Sequence, residues 1–292
     1  MSRARVISFE VDALDYGRAV DRVLNRLDAG QSGYVCVANV HMVMEAHDDP
    51  AFARVVQNAS VVTSDGMPLV WMLKAQGLTD AERVYGPTLT LELCRAAADH
   101  GLPIGLYGGT EESLESFKAV LADQFPALRV ACAISPPFRP LTPEEDAEYT
   151  QRLRASGARI IFVGIGCPRQ EKWMAAHTGQ LPGAMLLGVG AAFDFHSGRV
   201  RQAPALLQRA GLEWAFRLAM EPRRLWRRYV IHNPRFVLLA GRQLLGQWWP
   251  AKRTGTESGT ARSGRHPRSA DRVPNAPDRK HSARILQGKS HE

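Results

Sequence analysis

YVCVANV, residues 34–40, is a continuous apolar run of the kind that forms a strand buried on both faces. The same design returns at Pro103–Tyr107, which runs into Gly108-Gly109, and at Arg159–Val163, which ends in Gly164-Ile165-Gly166. It returns again at Ala184–Val189, which ends at Gly190. Shorter β-type runs occupy Val6–Val11, Ser60–Ser64 and Leu128–Ile134. Between these runs, helices are predicted over Tyr16–Leu27, His41–Asn58, Leu69–Gln76, Thr88–His100, Glu111–Phe125 and Gln170–His177. Thr110 is placed to cap the helix that follows it. Thr142-Pro143 opens another, with Glu144, Glu145 and Asp146 in its first turn, where the helix dipole favours acids. Strands alternating with helices predict βαβ units. The expected fold is therefore α/β, a mostly parallel, Rossmann-like sheet sandwiched by helices.

Composition narrows the class. With 292 residues, 45% hydrophobic and 23% charged, the chain is long enough for one large or two modest globular domains. It has no stretch of 18 apolar residues, and Met1–Leu14 lacks the apolar stretch of a secretory signal. Cys36, Cys94, Cys132 and Cys167 lie far apart with no CxxC, which argues against a zinc ribbon and fits a reducing, cytoplasmic setting.

The net charge of +8 is unevenly spread. Residues 1–198 hold 17 Lys+Arg against 23 Asp+Glu, whereas 199–250 hold ten Arg against Glu213 and Glu221 alone. This second part interleaves Arg with Trp214, Phe216, Trp226, Tyr229, Phe236, Trp248 and Trp249. Amphipathic rings among arginines suit an anionic membrane surface; a basic-sided helix pair packed on the domain is the plainer reading. Arg224 stands 7 residues after Arg217, and Arg227 and Arg228 stand 3 and 4 after Arg224, which would align them on one helix but for Pro222. Two helices meeting near Glu221-Pro222 are expected instead. From Lys252 onward the chain is rich in Arg, Ser, Gly and Pro, and disorder is expected. The division expected is 1–200 catalytic, 201–250 a helical appendage and 251–292 a basic tail.

In parallel α/β sheets, ligands bind beyond the carboxyl ends of the strands. Those ends present Asn39, Asp65, Gly108-Gly109, Gly164-x-Gly166 and Gly188-x-Gly190. Glycine turns before helices let backbone N–H groups approach an anion, or simply make tight turns. The sequence has neither a complete GxGxxG nor a GxxxxGK[ST], which counts against a nicotinamide oxidoreductase and excludes a P-loop NTPase. Asp65 at a strand end is placed as a general base, or as an Asp-Gly turn and cap. Asn39 can bind a sugar hydroxyl or satisfy loop backbone. Arg83 reads as a loop cation, Gln170 and Glu171 as helix-start residues after GxG, and Asp194 as an acid between two aromatics. No nucleic-acid motif accompanies the basic stretch, so a nucleic-acid or nucleotide-sensing protein is the rival from another class.

Seven segments in order carry a resemblance: VANVHMVMEA (37–46), SDGMPLVW (64–71), ERVYGP (82–87), LYGGTEES (106–113), FVGIGCPRQEKW (162–173), GVGAAFDFHSGRVRQAP (188–204) and GLEWAFRLAMEPRRLWRRY (211–229). Together they make the chain resemble the WecG/TagA/CpsF glycosyltransferases. The resemblance implies an inverting, metal-independent transfer with no cofactor. A hexose-type sugar (N-acetylmannosamine, its uronic acid or glucose) passes from a UDP-sugar to a polyprenyl-diphosphate-linked acceptor during surface-polysaccharide assembly. It implies Asp65 as base, and Asn39, Arg83 and Gln170 as donor-sugar contacts. Gly108, Gly109, Gly164, Gly166, Glu171 and Asp194 fall in segments that line the nucleotide pocket. Arg217, Arg224 and Arg227 match an appendage that closes over the site and meets the inner face of the cytoplasmic membrane. No specific nucleic acid is implied. Val37 stands where the family usually has Thr, Arg201-Gln202-Ala203-Pro204 where KRAP is common, and Ala191 where Gly is common. The sequence has no DxD, so arginines are the expected neutralisers of the leaving diphosphate.

Overall fold

The computed structural model describes residues 2–248. Trp249 and the 251–292 tail, for which disorder is expected, lie outside the described residues. The elements run in the order β1 Arg3–Val6, β2 Phe9–Asp12, α1 Tyr16–Asp28, β3 Gly33–Ala38, α2 Val40–Asp48, α3 Pro50–Gln57 and β4 Val61–Ser64. Next come α4 Met67–Ala75, α5 Gly86–Asp99, β5 Ile104–Gly108, α6 Glu111–Gln124, β6 Val130–Ile134, α7 Pro143–Ser156 and β7 Ile160–Gly164. The series ends with α8 Arg169–His177, β8 Met185–Gly188, α9 Ala192–His196, α10 Ala205–Arg209, α11 Glu213–Met220 and α12 Pro222–Trp248.

Six strands form one sheet in the order β4-β3-β8-β7-β5-β6, parallel throughout, so the expected α/β class holds. The chain lays down the two flanks first and inserts β7 and β8 between them. The register pairs Cys36 with Gly188 and Gly108 with Gly164, which brings strand ends distant in sequence to one rim. Alternate residues of each strand face opposite layers. Tyr34, Cys36, Ile161, Val163 and Leu186 join one core, beneath β1-β2, α2, α3, α8 and α12. Val35, Val37, Ile160, Phe162 and Leu187 join the other, beneath α1, α5, α6 and α9.

Two expectations need correcting. The β-type run Val6–Val11 is an antiparallel hairpin, not a strand of the main sheet: Val6 pairs with Phe9 across Ile7-Ser8. The single helix expected over His41–Asn58 is two. Asp49 accepts the backbone N–H of Ala51 and Phe52, Pro50 starts α3 and α2 stops there. A carboxylate cap beside a proline is a start signal strong enough to divide a periodic run.

The helix ends otherwise follow local chemistry. Thr110 caps α6 by accepting from Ser113 N–H. Thr142 and Glu145 form a reciprocal capping box on α7. The break expected near Glu221-Pro222 separates α11 from α12. On α12, Leu225, Tyr229, Phe236 and Ala240 recur at helical spacing and are buried. Phe236 and Ala240 enter the same core as α2, so this face of α12 belongs to the body of the fold. No helix among the described residues is long and apolar enough to cross a membrane.

Candidate active site

The carboxyl ends of β3, β4, β7 and β8 open into a cleft of about 1010 Å³, bounded by Asn39, Asp65, Gly166, Gln170, Asp194 and Arg217 among others. A second cavity of about 610 Å³ lies between α4, α11 and α12. Its walls are mostly apolar, with Met67, Trp71, Leu212, Trp214, Phe236 and Leu244 among them. Asn39, Asp65, Glu213, Arg217 and Arg228 belong to both cavities, so the two meet at Asp65.

Asp65 does not cap α4; Gly66 holds that position without a side-chain bond. Its own backbone N–H is tied to the carbonyl of Ala38, which anchors it to the end of β3. One carboxylate oxygen, Oδ2, accepts from Asn39 Nδ2 at 3.5 Å. The other, Oδ1, is buried without a hydrogen-bond partner and stands 3.8 Å from Arg83 Nη2. Burial raises the Asp65 carboxyl to about 6; Arg83 opposes this, Glu213 adds to it, and Asn39 and Arg217 oppose it. Asn39 also accepts Met42 N–H and so caps α2. Asn39 thus satisfies loop backbone while its side-chain nitrogen faces Asp65 at the wall of the cleft.

Arg83 is a hub rather than a free cation. It donates to the Asp65 backbone carbonyl, to Gln208 Oε1 at 3.2 Å and to Glu213 Oε2. Its guanidinium lies over the Tyr85 ring, 4.4 Å from the centroid. Glu213 sits on α11, so the appendage closes a side of this network. Sequence reasoning missed Glu213, although one of only two acids among ten arginines from 199 to 250 was a signal.

The glycines have a packing reason that the sequence did not show. A Cβ on Gly108, whose φ is +124°, would come within 2.5 Å of the Gly164 backbone. A Cβ on Gly164 would meet the Gly190 carbonyl and the Phe193 ring, both at 2.8 Å. Close approach of strand ends demands glycine here even without a ligand. Gly109, Gly164 and Gly166 border the cleft, while Gly108 stands behind its wall.

Gln170 is almost fully buried at the start of α8. Its Oε1 accepts the backbone N–H of Gly166 and Gly190, and its Nε2 donates to Glu171 Oε1 at 2.7 Å. It thereby ties two rim loops together. Glu171, from a segment expected to line the nucleotide pocket, is fully buried and does not border the cleft. Its carboxyl is pushed up to about 7 by burial, against the hydrogen bond from Gln170. Asp194 does border the cleft and accepts from Ser113 Oγ at 2.6 Å.

Arg217 and Arg224 reach the cleft; Arg227 does not. It borders a side pocket instead, with its guanidinium 5.7 Å from the Trp226 ring centroid. One residue further on, Arg228 borders that side pocket too but also reaches the cleft, because consecutive helical residues diverge by about 100°. Asp65 Oδ1, the Tyr85 hydroxyl, Arg217 Nε and Arg228 Nε are buried without partners and gather round one space. Buried polar atoms are usually satisfied, so this gathering marks a site made for a polar ligand.

A parallel α/β sheet whose rim gathers a half-buried carboxylate, glycine loops and arginines has the parts needed for group transfer. The family model of the glycosyl transferase WecG/TagA/CpsF family matches residues 4–250, and the chain belongs to that family. It is a glycosyltransferase of surface-polysaccharide biosynthesis.

Proposed function

We propose that this chain moves a hexose-type sugar from a UDP-sugar to a polyprenyl-diphosphate-linked glycan, inverting the anomeric centre. The observation that carries this reading is the meeting of two unlike cavities at Asp65. The cleft with the glycine loops and Asp194 suits a nucleotide sugar. The apolar cavity beneath α12 suits an amphiphilic acceptor.

In the proposed step the acceptor hydroxyl gives its proton to Asp65 Oδ1 while its oxygen bonds to the anomeric carbon. The bond from that carbon to the diphosphate breaks, and UDP leaves with the electron pair. Arg217, Arg224 and Arg228 lie round the same cleft and can balance the developing charge. Arg83 and Asn39 keep the Asp65 carboxylate aimed. A base kept near pKa 6 is ionised at pH 7 yet still basic enough to take a proton as the bond forms.

Asp65→Asn is expected to lower transfer about 10²–10⁴-fold, the usual span for a general base. UDP binding, followed by calorimetry, should stay near that of the parent. Wild-type turnover should rise with pH through about 6, because only the ionised carboxylate accepts the proton. Near-normal turnover of the variant would end the assignment. A panel of UDP-sugars in thermal-shift assays tests the donor, since a bound ligand raises the midpoint in proportion to its affinity.

A further inference from the structure

The contact between α2 and α12 contains a cluster that the transfer reaction does not use. His41 and Glu45 are one helical turn apart on α2, and His232 faces them from α12. One ligand atom from each lies within 4.8 Å of the others. We propose that His41, Glu45 and His232 form a divalent-metal site of the zinc class that fastens α12 to α2.

Two imidazoles and a carboxylate, with a fourth position left open, is a common zinc donor set. Zinc bonds of about 2.0–2.2 Å place tetrahedral ligands roughly 3.4 Å apart. His41 Nδ1 and Glu45 Oε1 are already 3.6 Å apart, so only His232 needs a small shift. That 3.6 Å is too long for a hydrogen bond. Nδ1 of His41 and Nδ1 of His232 are both buried without partners. A cation placed between these two nitrogens and the carboxylate would satisfy all three.

The surroundings are basic: Arg224, Arg227 and Arg228 share the side pocket, and Arg235 stands beyond His232. Two of these are balanced, Arg224 by Glu221 at 2.8 Å and Arg235 by Asp48 at 2.5 Å. Arg227 and Arg228 remain near the ion and weaken its hold. That suits an exchangeable clasp on the appendage.

Co²⁺ alone, titrated into the full chain, should give the visible absorption of a low-coordinate site, and one equivalent of Zn²⁺ should abolish it. His232→Ala, His41→Ala and Glu45→Gln should each weaken Zn²⁺ binding at least tenfold by calorimetry. As a second readout, Zn²⁺ should slow amide exchange over 222–236 in the parent and leave it unchanged in His232→Ala. Absence of stoichiometric binding by the parent overturns the site. So does equal affinity in parent and His232→Ala, which would mean the metal sits on other histidines.

Discussion

The Asp65 carboxyl is held near 6 by a balance between burial and its neighbours, and Glu213 is the neighbour that sequence reading did not find. Removing that like charge lowers the cost of ionising Asp65. Glu213→Gln should therefore move the rising limb of the pH–rate profile to lower pH, while also loosening Arg83. A limb that stays in place would show that Glu213 does not act on Asp65. Glu171 gives a second test at this scale. Its folded-state pKa, about 7, lies above the ordinary carboxyl value, so the folded chain holds the proton more tightly than the unfolded chain does. The contribution is thus favourable at low pH and is lost as pH rises from about 4.5 through 7. Glu171→Gln should raise the melting midpoint at pH 8 by the equivalent of about 2–3 kcal/mol, and the two proteins should converge below pH 4.5. Asp65 and Asn39 were legible because a polar residue closing an apolar strand is visible in one dimension. Arg228 was not, since its heading depends on where α12 sits.

At the scale of elements, α12 carries three distinct stripes. Leu225, Tyr229, Phe236 and Ala240 face inward and are buried. Arg224, Arg228, Arg235 and Arg242 recur at 4, 7 and 7 residues and form a basic stripe. Val230, Ile231, Val237, Leu238 and Leu245 face outward and are exposed. The inward stripe sets where the basic one lies. Gln243 adds a distant tie: it accepts Ile7 N–H at 2.8 Å and donates to the Arg5 carbonyl at 2.6 Å, at the turn of the β1-β2 hairpin. Phe236→Ala should cost about 3 kcal/mol, near the low end for a buried aromatic, and should lower transfer by displacing Arg228. Phe236→Leu should recover most of both losses. A thermal melt beside a transfer assay checks this; loss of stability with full transfer would separate α12 packing from the site. The strand-helix alternation was readable because it rests on periodicity. The hairpin was not, because Val6–Val11 looks continuous and only the positive φ of Ile7, 57°, reveals the turn. The division of 41–58 was present in Asp49-Pro50, but periodicity on both sides hid it.

Across the whole molecule, charge and exposed apolar area point to one end of the chain. The acidic excess of residues 1–198 and the arginines of 199–250 oppose each other. The exposed Trp226, at 49%, and Val237 and Leu238, at 67% and 66%, project from the same basic helix. Exposed apolar side chains beside cations suit insertion at an anionic lipid surface, where basic residues add about 1 kcal/mol each. We propose that this face brings the chain to the inner side of the cytoplasmic membrane, where a polyprenyl-linked acceptor would reach the apolar cavity. The two contributions differ in their response to salt, since screening weakens the charge part and leaves burial intact. Full-length protein should float with phosphatidylglycerol vesicles at low salt and partly at 0.5 M salt. Val237→Ser with Leu238→Ser should lose about 2 kcal/mol of binding at both salt levels, roughly thirtyfold, for partial burial of two aliphatic side chains. UDP binding should be unaltered, because neither residue borders the donor cleft. Flotation unchanged by the double substitution would place the lipid contact elsewhere. Flotation lost only at high salt would reduce the apolar face to a bystander.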